Sequence, residues 1–157
     1  IKEQKNIAII SEAGCPGIAD PGQILISVAH EMTCIIKPLV GPNSILLALM
    51  ASGMNGQQFE FTGYLPIDTL KKKKKLKELE NSSLKNNSTK IFIETPYRNN
   101  QLLDSIIQCC NADTKLCIAV NITASNESII TQPISLWKNK KPDLHKQPAI
   151  FLLYAGN

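Results

Sequence analysis

The chain has 157 residues, enough for one domain of ordinary size or two small ones with a buried core. Hydrophobic residues make up 43% of it and charged residues 19%, a balance that excludes a disordered chain, a collagen-like chain and a coiled coil. The net charge of +4 is a mild bias toward anionic partners, well short of the charge of a strong nucleic-acid binder. No apolar run approaches the roughly 18 residues of a membrane span, so no membrane partner is expected.

The first part of the chain alternates strand patterns with helix patterns. Short β-branched runs predict strands, and apolar residues at helical spacing predict helices between them. The elements predicted are strands at 6–10, 34–39 and 59–64 and helices at 23–31 and 45–52. This order is typical of a doubly wound parallel sheet, so residues 1–64 are predicted to form an α/β domain with a Rossmann-like parallel sheet.

A domain boundary is predicted near Pro66, where a charged helix with five consecutive lysines begins. Beyond it strands outnumber helices, which favours a smaller C-terminal α+β domain with a mixed sheet at 67–157. The elements predicted there are helices at 68–80 and 99–110, a polar loop at 81–88, and strands at 89–93, 115–120, 127–131 and 149–154.

Two glycine-rich loops follow predicted strands, at 11–22 and 41–44, where open α/β sheets bind their ligands. Glycines let the backbone approach a ligand closely, and N–H groups near a helix N-terminus favour a carboxylate or phosphate. Spacing alone leaves two interpretations open, a ligand-binding site or a pair of tight turns. Neither G-x-G-x-x-G nor G-x-x-x-x-G-K-[ST] is present, so a nucleotide-phosphate cradle of either kind is unsupported. Asp20 is predicted to cap the helix that follows the first loop.

The five cysteines show no C-x-x-C pair and no Cys/His spacing typical of zinc sites. We therefore expect free thiols in a reducing cytoplasm and no metal.

The first loop, S-E-A-G-C-P-G-I-A-D-P-G, resembles the motif S-D-A-G-T-P-G-I-S-D-P-G of one branch of the tetrapyrrole-methylase superfamily. Further segments resemble that branch's motifs in the same order: P-L-V-G-P-N-S at 38–44, A-S-G at 51–53, F-T-G-Y-L-P at 61–66 and E-T-P-Y-R at 94–98. The branch is the RsmI type, ribosomal small-subunit RNA (cytidine 2′-O)-methyltransferases that use S-adenosylmethionine. The resemblance also implies a C-terminal fragment, inactive by itself, that lacks the upstream half of the first domain. Residues 1–64 would then be the remainder of an N-terminal α/β cofactor-binding domain, with a partial sheet.

The resemblance implies that S-adenosylmethionine lies between the two predicted domains. The cofactor-binding residues it implies are Ala13, Gly14, Cys15, Ile18, Asn43, Ser44, Glu94, Ile122, Pro148 and Ala149. Cys15 stands where the branch has Thr and is interpreted as a wall of this site. A ribose hydroxyl gains from a general base, for which Glu12 is a weak candidate. Arg98 either pairs with Glu94 to fix a turn or binds a substrate phosphate.

One departure from the branch bears on the substrate. Relatives carry R-E-L-T-K where this chain has N-I-T-A-S at 121–125, so three charged side chains that suit RNA are replaced. Three functions stay open: a methyltransferase acting on small-subunit ribosomal RNA, a methyltransferase acting on a tetrapyrrole or other small molecule, and a non-catalytic binding module of the same fold. The helix at 45–54 has too little polar surface for an exposed element, so it is buried either in the monomer or at a subunit interface, and a homodimer is expected, as in the family.

Overall fold

The computed structural model describes residues 6–11 and 14–156. The chain divides into two compact units, Ile1–Ser44 and Ile45–Asn157. The elements in chain order are α1 (Gln23–Glu31), α2 (Ser44–Ser52), β1 (Phe59–Tyr64), α3 (Thr69–Asn86), β2 (Thr89–Ile93), α4 (Asn99–Cys109), β3 (Lys115–Val120), β4 (Ser128–Pro133), α5 (Ile134–Asn139) and β5 (Ala149–Tyr154).

The second unit is built on one five-stranded mixed sheet in the order β1-β2-β5-β3-β4, as the sequence predicts for its α+β part. Strands β1 and β2 are parallel, and the other neighbouring pairs are antiparallel. Strands β1, β2 and β3 therefore point in one direction. Their last residues and the first residue of β5 meet at one end of the sheet, which we call the carboxyl edge.

The two faces of the sheet bury two hydrophobic clusters, because successive side chains of a strand point to opposite faces. Leu116, Ile118 and Phe151 belong to the cluster that also contains residues of α3, α4 and α5. Cys117 and Leu152 belong to the other cluster, which contains the buried face of α2. All six residues of β5 are buried, as expected for the central strand of a sheet covered on both sides.

Helix α3 extends beyond its predicted end, so the loop predicted at 81–88 is wrong over most of its length. Ser83 is fully buried, its hydroxyl donates to the carbonyl of Ser88 at 2.7 Å, and it accepts from the backbone of Ala155 at 2.9 Å. These tertiary bonds outweigh the weak helix propensity of the serine and asparagine residues. Asn87 then ends the helix in the left-handed conformation.

The residues of the range 1–64 that the structure describes, 6–11 and 14–64, do not form the separate parallel sheet predicted for them. The segments 6–10 and 34–39 are not strands. Among the described residues, neither segment has a neighbouring strand with which to exchange hydrogen bonds. The third predicted strand does form as β1, but it pairs with β2 in the sheet of the second unit. The division after Ser44 therefore differs from the boundary predicted at Pro66.

Candidate functional site

Four of the predicted site residues lie together at the carboxyl edge. Glu94 follows the last residue of β2, Ile122 lies two residues beyond β3, and Pro148 and Ala149 stand at the start of β5. The ladder places Val120 opposite Ala149, and the backbone N–H of the next residue, Asn121, donates to the carbonyl of Pro148 at 3.0 Å. Residues from three separate stretches of the sequence thus share one edge of the sheet.

Glu94 is the centre of a buried charge cluster at this edge. Its side chain is 1% exposed, and its Oε1 accepts from the guanidinium of Arg98 and from the backbone N–H of Thr95, both at 2.7 Å. Its Oε2 lies 3.8 Å from the Nζ of Lys72, a lysine whose side chain is 4% exposed. The Glu94–Arg98 ion pair therefore fixes the turn after β2, one of the two roles considered for Arg98.

The environment of Glu94 keeps it ionised. Burial acts to raise the pKa of this carboxyl group. The hydrogen bonds from Arg98 and Thr95 and the charges of Arg98 and Lys72 together outweigh burial and hold the pKa below its usual range. Within the described part of the chain, neither Glu94 Oε2 nor the buried Nε of Arg98 has a hydrogen-bond partner.

An open cleft adjoins this cluster where β1 and β2 end side by side. It measures about 570 Å³ and is lined by the last residue of β1, the three residues that follow it and two residues of the turn after β2: Tyr64, Leu65, Pro66, Ile67, Thr95 and Arg98. The side chain of Arg98 is 31% exposed, so the guanidinium both pairs with Glu94 and faces the cleft. The cleft combines an apolar lining with one cation, a combination that suits an organic anion.

A polar network that the sequence analysis missed braces the carboxyl edge. Asn99, fully buried, donates from Nδ2 to the carbonyl of Gln147 at 2.7 Å. Asn121 donates to the side chain of Gln147 at 3.0 Å, and Lys146 N–H donates to the carbonyl of Pro96 at 3.1 Å. The segment before β5 is thereby tied to the turns after β2 and β3. These hydrogen bonds join residues far apart in the sequence, so no local sequence pattern predicts them.

The first glycine loop folds around Asp20. Its carboxylate accepts from the backbone N–H groups of Gly17 at 3.1 Å and Gly22 at 2.8 Å, which lowers its pKa. The prediction that Asp20 caps α1 is wrong, because Gly22 is the N-cap residue and α1 has no side-chain cap. Asp20 instead closes the loop across its own backbone.

The remaining predicted cofactor residues lie in the first unit. Gly14 has φ +79°, and a Cβ placed there meets nothing within 4 Å. The Cys15 thiol donates to the carbonyl of Pro42 at 3.7 Å, and Ile18 is exposed. Asn43 is half-buried and Ser44 begins α2, whereas Glu12 and Ala13 lie outside the described residues.

No described helix is both long and apolar enough to cross a membrane. Between residues 6 and 156, leaving aside 12 and 13, no three His, Cys, Asp or Glu side chains gather closely enough to hold a metal ion. All five cysteines are free thiols, as the sequence predicts.

No protein-family model matches the chain. Curated proteins named ribosomal RNA small subunit methyltransferase I do. The one from Bacillus subtilis is 35% identical over 135 residues, which is 86% of this chain and 44% of that protein. The one from Vibrio cholerae is 32% identical over 130 residues, 83% of this chain and 44% of that protein. The one from Buchnera aphidicola subsp. Schizaphis graminum is 32% identical over 159 residues, 99% of this chain and 54% of that protein. The chain spans about half the length of the curated relatives it matches.

Solved structures of methyltransferases share the fold. The methyltransferase CobJ matches with a TM-score of 0.58 and 18% identity over 90% of this chain and 61% of that one. The uroporphyrin-III C-methyl transferase of Thermus thermophilus, in complex with S-adenyl homocysteine, matches with a TM-score of 0.54 and 11% identity over 90% of this chain and 62% of that one. The chain is thus structurally similar to the tetrapyrrole methylases.

Proposed function

The chain is a homologue of the ribosomal RNA small subunit methyltransferase I proteins along most of its own length, and we propose that the full-length protein is an S-adenosylmethionine-dependent methyltransferase that 2′-O-methylates a nucleotide of small-subunit ribosomal RNA. One observation carries the proposal. Glu94, Ile122, Pro148 and Ala149, which the family resemblance assigns to the cofactor, come from separate motifs and gather at one edge of the sheet.

The residues present fit the cofactor. A Cβ at Gly14 would enter open space, so the loop backbone is accessible to a ligand at that point, and Glu94 Oε2 is a buried acceptor that receives no hydrogen bond from the described residues. When bound, S-adenosylmethionine supplies the methyl group together with its own neutral leaving group. In this proposal nine residues bind and orient it: Gly14 and Cys15 through their backbone, Ile18, Asn43 and Ser44 through their side chains, and the edge residues Glu94, Ile122, Pro148 and Ala149.

The protein's own contribution is positioning and the exclusion of water, because the methyl donor is already activated. Glu94 is fixed by Arg98 and by the backbone of Thr95, so this part of the wall is rigid before any ligand binds. Glu12 remains the candidate base for the ribose hydroxyl. We further propose a homodimer, which is supported by the exposed apolar side chains Leu46 and Met50 on the outer face of α2.

A second candidate acceptor is a tetrapyrrole or another small molecule. The observation that favours it is N-I-T-A-S at 121–125, where the RNA-methylating relatives carry charged residues. A tritium-transfer assay separates the two. The full-length protein is incubated with labelled S-adenosylmethionine and either small ribosomal subunits or uroporphyrinogen III.

Transfer of label to small-subunit RNA supports the proposal, and transfer to uroporphyrinogen III alone contradicts it. Calorimetry with S-adenosylhomocysteine tests the non-catalytic alternative, because a protein that binds no cofactor product is a binding module of the same fold.

A further inference from the structure

We propose that the cleft beyond β1 and β2 binds a single unpaired nucleotide of the RNA substrate, with the ring of Tyr64 stacked on its base and the guanidinium of Arg98 bound to its phosphate. This inference rests on the proposed function, which makes RNA the substrate, and it adds which surface receives the RNA and through which side chains.

The position of Tyr64 is the first observation. The register between β1 and β2 shifts between Phe61 and Tyr64, and Gly63 within this irregularity has φ +68°. Such an irregularity re-aims the side chain that follows it. Tyr64 ends the strand 59% exposed and lines the cleft instead of joining the core.

An exposed aromatic ring in a cleft is the usual platform for an unpaired base. Every base has a flat face, and a stacked base stabilises binding by about 1–3 kcal/mol. The neighbouring lining of Leu65, Pro66 and Ile67 is apolar, and Ile67 is 69% exposed. The cleft thus offers a nucleobase one aromatic face and apolar walls.

The charge beside the ring is the second observation. Lys72 and Arg98 each carry a positive charge and share one negative partner, Glu94, so the cluster keeps one uncompensated positive charge. Of the two cations, Arg98 reaches the cleft. A planar guanidinium matches the oxygens of a phosphate, and Glu94 fixes its orientation by a 2.7 Å hydrogen bond. Glu94 is therefore a positioning residue for phosphate binding.

Helix α3 supplies charge for the flanking backbone. It begins two residues after Ile67, and its first turns carry Lys71 and Lys74, two exposed lysines that have no ion-pair partner among the described residues. Asp68 adds a carboxylate here, but it caps the helix by accepting from the backbone of Lys71 at 2.9 Å. Exposed lysines beside the cleft attract neighbouring phosphates without selecting a sequence.

The same features disfavour a tetrapyrrole in this cleft. A uroporphyrinogen carries carboxylates all around its rim, whereas one cation, Arg98, lines the cleft in the described part of the chain. One ring platform and one guanidinium match one base and one phosphate.

The test measures the affinity of the full-length protein for a short fluorescein-labelled single-stranded RNA by fluorescence anisotropy. Tyr64→Ala is expected to weaken binding about tenfold or more, because the stacking partner is lost. Tyr64→Phe keeps the ring and is expected to bind as the wild type does. Tyr97→Ala is the matched control, since Tyr97 is an aromatic residue 67% exposed that packs on His145 and does not line the cleft.

Arg98→Gln is expected to weaken binding and to reduce the slope of log K against log salt by about 0.7, the contribution of one phosphate of a single strand. Circular dichroism checks that each variant remains folded. Equal RNA affinities for Tyr64→Ala, Tyr97→Ala and the wild type would overturn the inference. A second result would also overturn it. In that result uroporphyrin III displaces the RNA, and the Tyr64 and Arg98 substitutions weaken the affinity for uroporphyrin III but leave the affinity for RNA unchanged.

The two proposals fail separately in this design. Methyl transfer and S-adenosylhomocysteine binding by the wild-type protein test the enzyme, whereas the difference between Tyr64→Ala and Tyr97→Ala in RNA affinity tests the cleft. Methyl transfer to RNA with equal RNA affinities for the two variants would refute the cleft alone.

Discussion

Helices α1 and α2 are each nine residues long and largely apolar, and they differ in what covers them. Helix α1, in the first unit, has no buried residue and exposes Ile24 and Val28. Helix α2 buries Ile45, Ala48 and Leu49 against the sheet of the second unit. Local sequence signals form both helices, but only a facing surface turns an apolar stripe into a core.

The same contrast holds for strands. The run at 34–39, C-I-I-K-P-L, is predicted to be a strand, yet it has no strand partner in the described part of the first unit. Strand β2, with the run T-K-I-F-I, lies between β1 and β5 and buries four of its five residues. The stability of the chain should therefore reside in the second unit.

The largest expected effect comes from matched substitutions in the two units. Ile91→Ala removes a fully buried side chain of the sheet and should lower the free energy of unfolding by about 2–5 kcal/mol. Ile24→Ala removes a side chain that is 66% exposed and should change it by less than about 0.5 kcal/mol. Urea unfolding of the 157-residue chain followed by circular dichroism, which detects both units, measures both values. Equal losses would show that the first unit buries its apolar face in solution.

The buried ion pairs should give the next largest effect. Glu94→Gln leaves Arg98 and Lys72 without their negative partner and should cost about 2 kcal/mol at neutral pH. The matched control is Asp104→Asn, since Asp104 pairs with Lys141 at 2.6 Å but both side chains are about half exposed. That pair should be worth no more than about 1 kcal/mol. Equal costs for the two substitutions would contradict the importance assigned to burial.

The contribution of Glu94 should depend on pH. Its pKa is lower in the folded than in the unfolded state, so its stabilisation is complete above the unfolded value of about 4.3. It is lost as the pH falls through the lower folded value, where the carboxylate is protonated in both states. The difference between wild type and Glu94→Gln, measured by urea unfolding, should shrink across this acidic range. A difference that stays constant down to the acid-unfolding range would refute this assignment.

The smallest effect concerns the irregularity in β1. Gly63→Ala introduces a side chain at φ +68° and should lower the free energy of unfolding by about 1 kcal/mol through backbone strain. No steric clash adds to this cost, because nothing lies within 4 Å of the added Cβ. Gly56→Ala is the matched control, since its Cβ also meets nothing and its φ lies outside the left-handed range. Thermal unfolding should separate the two, and identical midpoints would show that β1 tolerates a side chain at this position.

Most of the second unit could be predicted from the sequence. The strands β1, β2, β3 and β5 have the bounds that their apolar runs predict, because turn residues flank each run. Helix α5 was missed, since it is only six residues long and its Trp137 is held by a donated bond to the carbonyl of Leu116. The predictions that failed, for α5, the end of α3 and the segment at 6–10, concern structure that depends on contacts with residues far away in the sequence.

At the candidate site, the sequence indicated one ion pair and missed the buried residues around it. The i,i+4 spacing of Glu94 and Arg98 suggested their ion pair, which the structure contains at 2.7 Å. Lys72 was hidden within five consecutive lysines, although it alone of that run is buried. Asn99 and Gln147 gave no signal because their hydrogen bond joins residues far apart in the sequence.

The central claim is that the first loop contacts S-adenosylmethionine through its backbone at Gly14. Calorimetric titration of S-adenosylhomocysteine into the full-length protein with Gly14→Val or Gly17→Val tests it most directly, because both glycines have φ +79° and suffer the same backbone strain. A side chain at Gly14 enters the space assigned to the ligand, whereas Gly17 has no assigned contact. We predict that Gly14→Val abolishes binding and that Gly17→Val retains most of it. Normal affinity in Gly14→Val, or an equal loss in both variants, would contradict the account and leave the loop a turn.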